Sequence, residues 1–227
     1  MTYSPDDLTA LAISLKLAFI TTLLLLIIGL PIAWWLNCTK SKFKFAIEAI
    51  IGLPLVLPPT VLGFYLLMAL GNQTSLGRFL ESLFGRSLAF SFTGLVIGSM
   101  IYSLPFVVRP LQSSFASIGK RPLEVAATLG ASPLSMWWHI ILPMSRPGIL
   151  TACILGFAHT IGEFGVVLMI GGNIPGETKV LSMAIYEHVE TLKYDQAHAL
   201  SLGLLILSFL SLFTVFIINK RLSVLKT

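Results

Sequence analysis

The chain has 227 residues, 56% hydrophobic and 11% charged, with a mean hydropathy of +0.89 and a formal net charge of +5. A balance this apolar excludes an ordinary water-soluble domain and marks an integral membrane protein. The basic excess is spread over several polar segments between apolar runs, so no nucleic-acid partner is needed to explain it.

About 20 apolar residues cross the hydrocarbon of a bilayer as a helix, and lipid leaves no other way to satisfy the backbone of a single segment. Uncharged runs of that length lie at residues 17–36, 49–70, 87–108 and 197–219, and a further run, 147–172, holds one acid, Glu163. These predict an all-α polytopic fold of five full spans in one transmembrane domain, residues 1–227. The chain opens on Asp6 and Asp7 with no base beside them, so no cleaved signal peptide is expected. Lys16, near one end of the first span, has a stem long enough to snorkel to water.

Charge orients the spans. Lys40, Lys42 and Lys44 follow the first. Arg109, Lys120, Arg121 and Arg146 outnumber Glu124 after the third, and Lys220, Arg221 and Lys226 end the chain. These segments are expected in the cytoplasm, whereas the N-terminus, residues 71–86 and the acidic stretch 172–195 are expected outside. The assignments alternate without conflict, N-terminus out and C-terminus in. Trp34 and Trp35 suit the interfacial belt.

The second span reads GLPLVLPPTVLG, with Pro54, Pro58 and Pro59 inside a membrane run. Each proline removes a backbone donor, so the helix must kink or open there. A kink that serves packing and a segment that lines a path both fit. Gly52 and Gly63 add close-approach positions. Residues 76–85 place Leu76, Phe79, Leu80, Leu83 and Phe84 on one stripe, predicting an amphipathic helix on the outer surface. Residues 180–189 predict a short outer helix that either dips partway into the leaflet or packs over a central opening.

An acid inside a span is a functional hypothesis by default. Glu163 is flanked by Gly162 and Gly165, which allow a hinge or a close backbone approach, and His159 lies four residues earlier on the same helical face. Direct contact between a carboxylate and an anion is disfavoured, so a structural or gating role is expected for Glu163. Arg109 and Glu48 read as a topology anchor and a partner for a nearby lysine.

The segment EVAATLGASPLSMWWHIILP, residues 124–143, is too polar to cross a bilayer. Pro122 and Glu124 suit a helix start and Gly130 its end; Ser132 and Pro133 start a second helix, which Pro143 is expected to stop. Ala126 and Ala127 permit close approach, and Trp137 and Trp138 could anchor in the membrane interface or in a partner. Docking onto another protein and folding back on the bundle both fit these residues. No phosphate-binding loop, nucleophile set or metal-ligand spacing is found, and Cys38 and Cys153 form no paired framework. The sequence thus predicts no enzyme, no metal and no cofactor on this chain. No internal repeat is visible, which weakens an ion-coupled secondary transporter as the alternative.

The spacing of Glu124, Ala126, Gly130, Ile140, Leu142 and Pro143 resembles the EAA loop of permease subunits in ATP-binding-cassette importers, with Val125 where that pattern prefers alanine. LPLVLPPTVLG, GEFG and GNIPGET (residues 53–63, 162–165 and 172–178) are similar to molybdate importer permeases, with sulfate-type permeases as close relatives. The resemblance implies the type I importer permease fold in the bacterial inner membrane, working as a homodimer. It implies two cytoplasmic ATPase subunits, which carry ATP and Mg, docked at residues 120–143, and an extracytoplasmic oxyanion-binding protein. Molybdate, with tungstate, is the implied substrate, and sulfate the alternative. Pro58, Pro59, Gly162, Glu163 and Gly165 are the expected pathway or gate residues. Moving a divalent anion inward against about 150 mV costs about 7 kcal/mol, so an energy source is required.

Overall fold

The computed structural model describes residues 4–224 and is helical throughout its regular elements. Lys226, part of the expected basic tail, lies outside the described residues. Helix α1 (Pro5–Cys38) begins at a capping box in which Ser4 and Asp7 exchange backbone-to-side-chain bonds of 3.0 and 3.1 Å. Then come α2 (Phe43–Gly52), a tight turn at Leu53–Leu55, α3 (Pro59–Leu70), α4 (Ser75–Phe84) and α5 (Phe92–Ile118). Helices α6 (Arg121–Thr128), α7 (Pro133–Met136), a π turn at Trp137–Ile141 and α8 (Leu142–Met144) form the expected loop. The chain closes with α9 (Arg146–Gly162), α10 (Gly165–Gly171), α11 (Leu181–Glu190) and α12 (Tyr194–Val224).

Among the described residues α1, α5 and α12 are long and apolar enough to cross a membrane unbroken. Three of the five expected spans are thus single unbroken helices. Residues 43–55 and 59–70 meet at 110°, and residues 133–144 and 146–162 at 67°, so five crossings arise only if each bent pair counts as one. The first break follows from chemistry: Pro58 and Pro59 give no N–H to a helix ladder, and Pro58 sits extended at ψ 134° before α3. Residues 147–172 are likewise two helices, α9 and α10, separated at Glu163 and Phe164. The expected span 87–108 starts later, at Phe92, because Ser91 accepts the Gly94 N–H and caps α5 there.

The core lies between α1, α5 and α9 and is built by small residues against branched ones. A Cβ on Gly29 would meet Val107 Cγ1 at 3.2 Å, and one on Gly156 would meet Val107 Cγ2 at 2.7 Å, so these backbones approach as closely as their glycines allow. Leu25, Ala33, Leu36, Val108, Leu111 and Phe115 fill the same cluster. Lys16 does not rely on water alone; its Nζ lies 4.7 Å above the Phe92 ring. Helix α4 takes the predicted place and amphipathic form, capped by Thr74 and ended by Gly85 at φ +71°.

Candidate functional site

Two regions gather the residues singled out above. The first is the broken-helix region, where α3 packs on α10. A Cβ on Gly165 would lie 2.7 Å from Pro59 Cβ, and one on Gly63 would lie 2.8 Å from Met169 Cβ and 3.2 Å from Val166 Cα. The two glycines thus hold the prolyl start of α3 against α10. Beside this contact is an open cavity of about 620 Å³, lined by Pro59, Thr60, Tyr102, His159, Gly162 and Glu163 among others. Pro59, Gly162, Glu163 and Gly165 therefore share one wall, and Pro58 caps the α3 start just behind it.

Glu163 ends α9 in an extended conformation, φ −67° and ψ 136°, and is 4% exposed. Its carbonyl accepts a hydrogen bond of 2.5 Å from the Ser182 hydroxyl of α11, which ties the break to that helix. Neither carboxyl oxygen has a hydrogen-bond partner among the described residues, and the buried hydroxyl of Ser99 lies next to it but outside hydrogen-bond geometry.

His159 belongs to a different network. Its Nδ1 is 2.9 Å from Ser103 Oγ, which is 3.0 Å from Thr160 Oγ1, and Thr160 donates to the Gly156 carbonyl at 2.9 Å. If each hydroxyl donates once, the protons run from Nδ1–H through Ser103 and Thr160 to the carbonyl, which leaves Nε2 an acceptor. Phe106 stacks on the ring at 3.8 Å, and Tyr102 leans on it at 4.9 Å. The helical spacing of His159 and Glu163 suggested a shared network, but the helix breaks between them, and each is held by different partners.

The second region is the loop. Its first helix closes with a Schellman motif: Gly130 is at φ +80°, its N–H bonds to Ala127 O, and the Ala131 N–H bonds to Ala126 O, both at 3.0 Å. Ser132 caps the next helix by accepting the Ser135 N–H. Pro143, expected to stop that helix, does not; the chain continues through α8. The π turn before it, closed by the Leu142 N–H on Trp137 O, widens the backbone and relieves the clash a proline makes one turn back.

The loop residues divide between two faces. Ala126 is buried, and Ile140, Leu142 and Pro143 are half-buried. Trp137 turns inward onto Trp34 at 5.5 Å and Phe115 at 6.0 Å. Glu124 is exposed, and with it Val125, Leu129, Leu134 and Trp138, the apolar ones 58%, 82%, 68% and 60% accessible. Fold-back thus accounts for Ala126 and Trp137. The outward patch has no partner among the described residues.

Arg109 lies against the break after α2, where a Cβ on Gly52 would come within 2.9 Å of its guanidinium. Glu48 accepts from Gln112 Nε2 at 3.1 Å and lies 4.0 Å from Lys44 Nζ, the pairing expected of it.

A third set escaped the sequence reading. Ser14 Oγ on α1 accepts the Leu181 N–H at 2.7 Å and so caps α11 across the bundle, a bond with no local signature. Asp7 meets His188 at 2.8 Å in the same packing of α1 on α11. In GNIPGET, Thr178 donates to Gly171 O and accepts the Ile174 N–H, while the neighbouring Lys179 pairs with Glu187 at 2.6 Å. The Lys179 hydrogen bond is the main reason the Glu187 carboxyl titrates below its ordinary value.

Fold and site together define a polytopic helical membrane protein with a cavity at broken helices and a structured polar loop at the end where α1 and α5 terminate. The chain belongs to the binding-protein-dependent transport system inner membrane components, whose family pattern matches residues 26–224. It is 54% identical over 216 residues to the molybdenum transport system permease protein ModB of Azotobacter vinelandii, covering 95% of this chain and 96% of that protein. Identity to ModB of Haemophilus influenzae is 37%, covering 95% and 94%. The fold matches the MetNI methionine ABC transporter in an inward-facing crystal form, with a TM-score of 0.71 at 18% identity over 96% of this chain and 99% of that one. Family membership makes this chain the membrane component of a transport system and places it in the inner membrane.

Proposed function

We propose that this chain is the permease of an ATP-driven importer that carries molybdate, with tungstate, into the cell. The observation that carries the reading is the 54% identity to a molybdenum permease over 216 residues, 95% of this chain. In this reading the chain crosses the membrane five times, each bent pair forming one crossing, with the N-terminus outside. It works as a homodimer of type I permease fold with two cytoplasmic ATPase subunits and an extracytoplasmic oxyanion-binding protein.

Coupling follows from the order of elements. The outward patch of Glu124, Val125, Leu129 and Trp138 is the docking surface for the ATPase, with Gly130 fixing the turn between its helices. Ala126, Ile140, Leu142 and Pro143 fasten the same segment to the bundle. Helix α8 passes into α9 with a single residue, Ser145, between them, and α9 is 17 residues long, about 25 Å of rigid rod. Movement of the docked loop therefore reaches Gly162 and Glu163 at the other end of α9. There the non-helical backbone and the Pro58–Pro59 break give the cavity wall its hinge.

The test is uptake by proteoliposomes holding this chain with its ATPase and binding protein, using labelled molybdate competed by tungstate or by excess sulfate. ATP-dependent uptake blocked by tungstate alone supports the reading. A block by sulfate, also a tetrahedral dianion, overturns the substrate and keeps the mechanism; uptake without ATP overturns the mechanism.

A further inference from the structure

A dianion crossing at the cavity of Thr60, Tyr102, His159 and Glu163 would meet an unusual surface. No Lys or Arg lines it, and no base lies within ion-pair distance of Glu163 among the described residues. The groups around the acid do not compensate its charge. From α5 come the Tyr102 and Ser99 hydroxyls, and from α9 His159, whose Nδ1 is bound to Ser103. The cavity residues of α3 and α10 contribute no titratable group. From α11 come Ser182, spent on the Glu163 carbonyl, and Tyr186, which packs on Phe164; its Glu187 closes on Lys179. On α1, Lys16 is placed over Phe92.

An ionised carboxylate buried without a partner is costly, and here it would also repel the substrate. A neutral carboxylic acid has neither fault and supplies an O–H donor. We propose that Glu163 stands in this wall as a neutral carboxylic acid and donates a hydrogen bond to the tetrahedral oxyanion passing through the cavity. This rests on the reading of the cavity as the pathway. In the conformation seen here the carboxyl is sequestered beside Ser99, and the break at Glu163–Phe164 is the point at which the wall can turn it toward the cavity. A Cβ on Gly162 meets nothing within 4 Å, so that side has room for a ligand. The proton stays on the acid throughout; no transfer accompanies transport.

The experiment compares wild type with Glu163→Gln and Glu163→Ala in the reconstituted importer, measuring labelled molybdate uptake across a pH series. The amide donates but does not ionise, so the ratio of wild-type to Glu163→Gln uptake should fall as pH rises. Glu163→Ala, which has no donor, should be slower than Glu163→Gln at every pH, by about tenfold. A ratio that rises with pH, or Glu163→Gln as slow as Glu163→Ala while both still bind the ATPase, overturns the proposal.

Infrared difference spectra of the wild-type complex with and without molybdate guard against a variant that fails to assemble. A protonated-carboxyl band that moves with molybdate and shifts in D2O supports the proposal, and its absence overturns it. Gly162→Cys, made with Cys38 and Cys153 replaced by serine, tests the pathway separately. If an impermeant thiol reagent labels Gly162→Cys but does not block uptake, the pathway reading fails, whatever the protonation of Glu163.

Discussion

Replacing Gly130 by alanine should uncouple ATP hydrolysis from uptake without harming insertion. Gly130 holds φ +80°, and the Schellman bonds of residues 126, 127, 130 and 131 depend on that conformation. An alanine Cβ there would meet nothing within 4 Å, so its whole effect is conformational. Holding an L-residue in the left-handed region costs about 1–2 kcal/mol, which lowers the ratio of native to altered turn roughly 5- to 30-fold. The segment is exposed at this point, so the core of α1, α5 and α9 is untouched. ATPase rate and molybdate uptake are measured together on reconstituted complexes. Uptake per ATP hydrolysed should fall by about fivefold or more in Gly130→Ala and recover in Gly130→Asn, because asparagine tolerates the left-handed region. Wild-type coupling in Gly130→Ala would refute the role of the turn. Equal defects in both variants would refute the conformational argument.

Ser14→Ala removes the acceptor that caps α11 and leaves the buried Leu181 N–H unpaired, a loss of about 1–3 kcal/mol; faster hydrogen exchange in the first turn of α11 should accompany a lower melting temperature. The paired tryptophans should separate: Trp138→Ala weakens copurification of the ATPase at unchanged thermal stability, whereas Trp137→Ala lowers thermal stability through lost packing on Trp34 and Phe115. The Lys179–Glu187 pair should make the 171–180 segment acid-sensitive. The Glu187 carboxyl titrates below its ordinary value, chiefly through the Lys179 hydrogen bond. The stability it contributes is therefore complete above the unfolded-state value and is lost as pH falls through the lower folded one. Proteolysis of that segment should accelerate in this acid window, and Glu187→Gln should remove the acid dependence.

What could be read from the residues, and what could not, follows a physical division. The capped, glycine-ended helices of the loop depend on neighbours within a turn, so Gly130 and Ser132 announce them locally. Pro58 and Pro59 likewise announce a break, because a missing N–H is a property of the residue alone. The direction and size of such a break are set by the elements received there: the 110° bend after α2 is held by Gly165 and Gly63 against α10, residues 100 or so positions apart in the chain. Pro143 misled because its usual effect was cancelled by a π turn whose own sequence, WWHII, carries no distinctive signal. Ser14 could not be read as a cap, since its acceptor role exists only once α1 lies beside α11. Glu163 shows both sides of the division. Its rarity as a charge within an apolar run singled it out, and repulsion between like charges then argued against substrate contact. Only the packed structure shows that no base pairs with the acid among the described residues, and the neutral acid proposed above is the form in which that repulsion disappears.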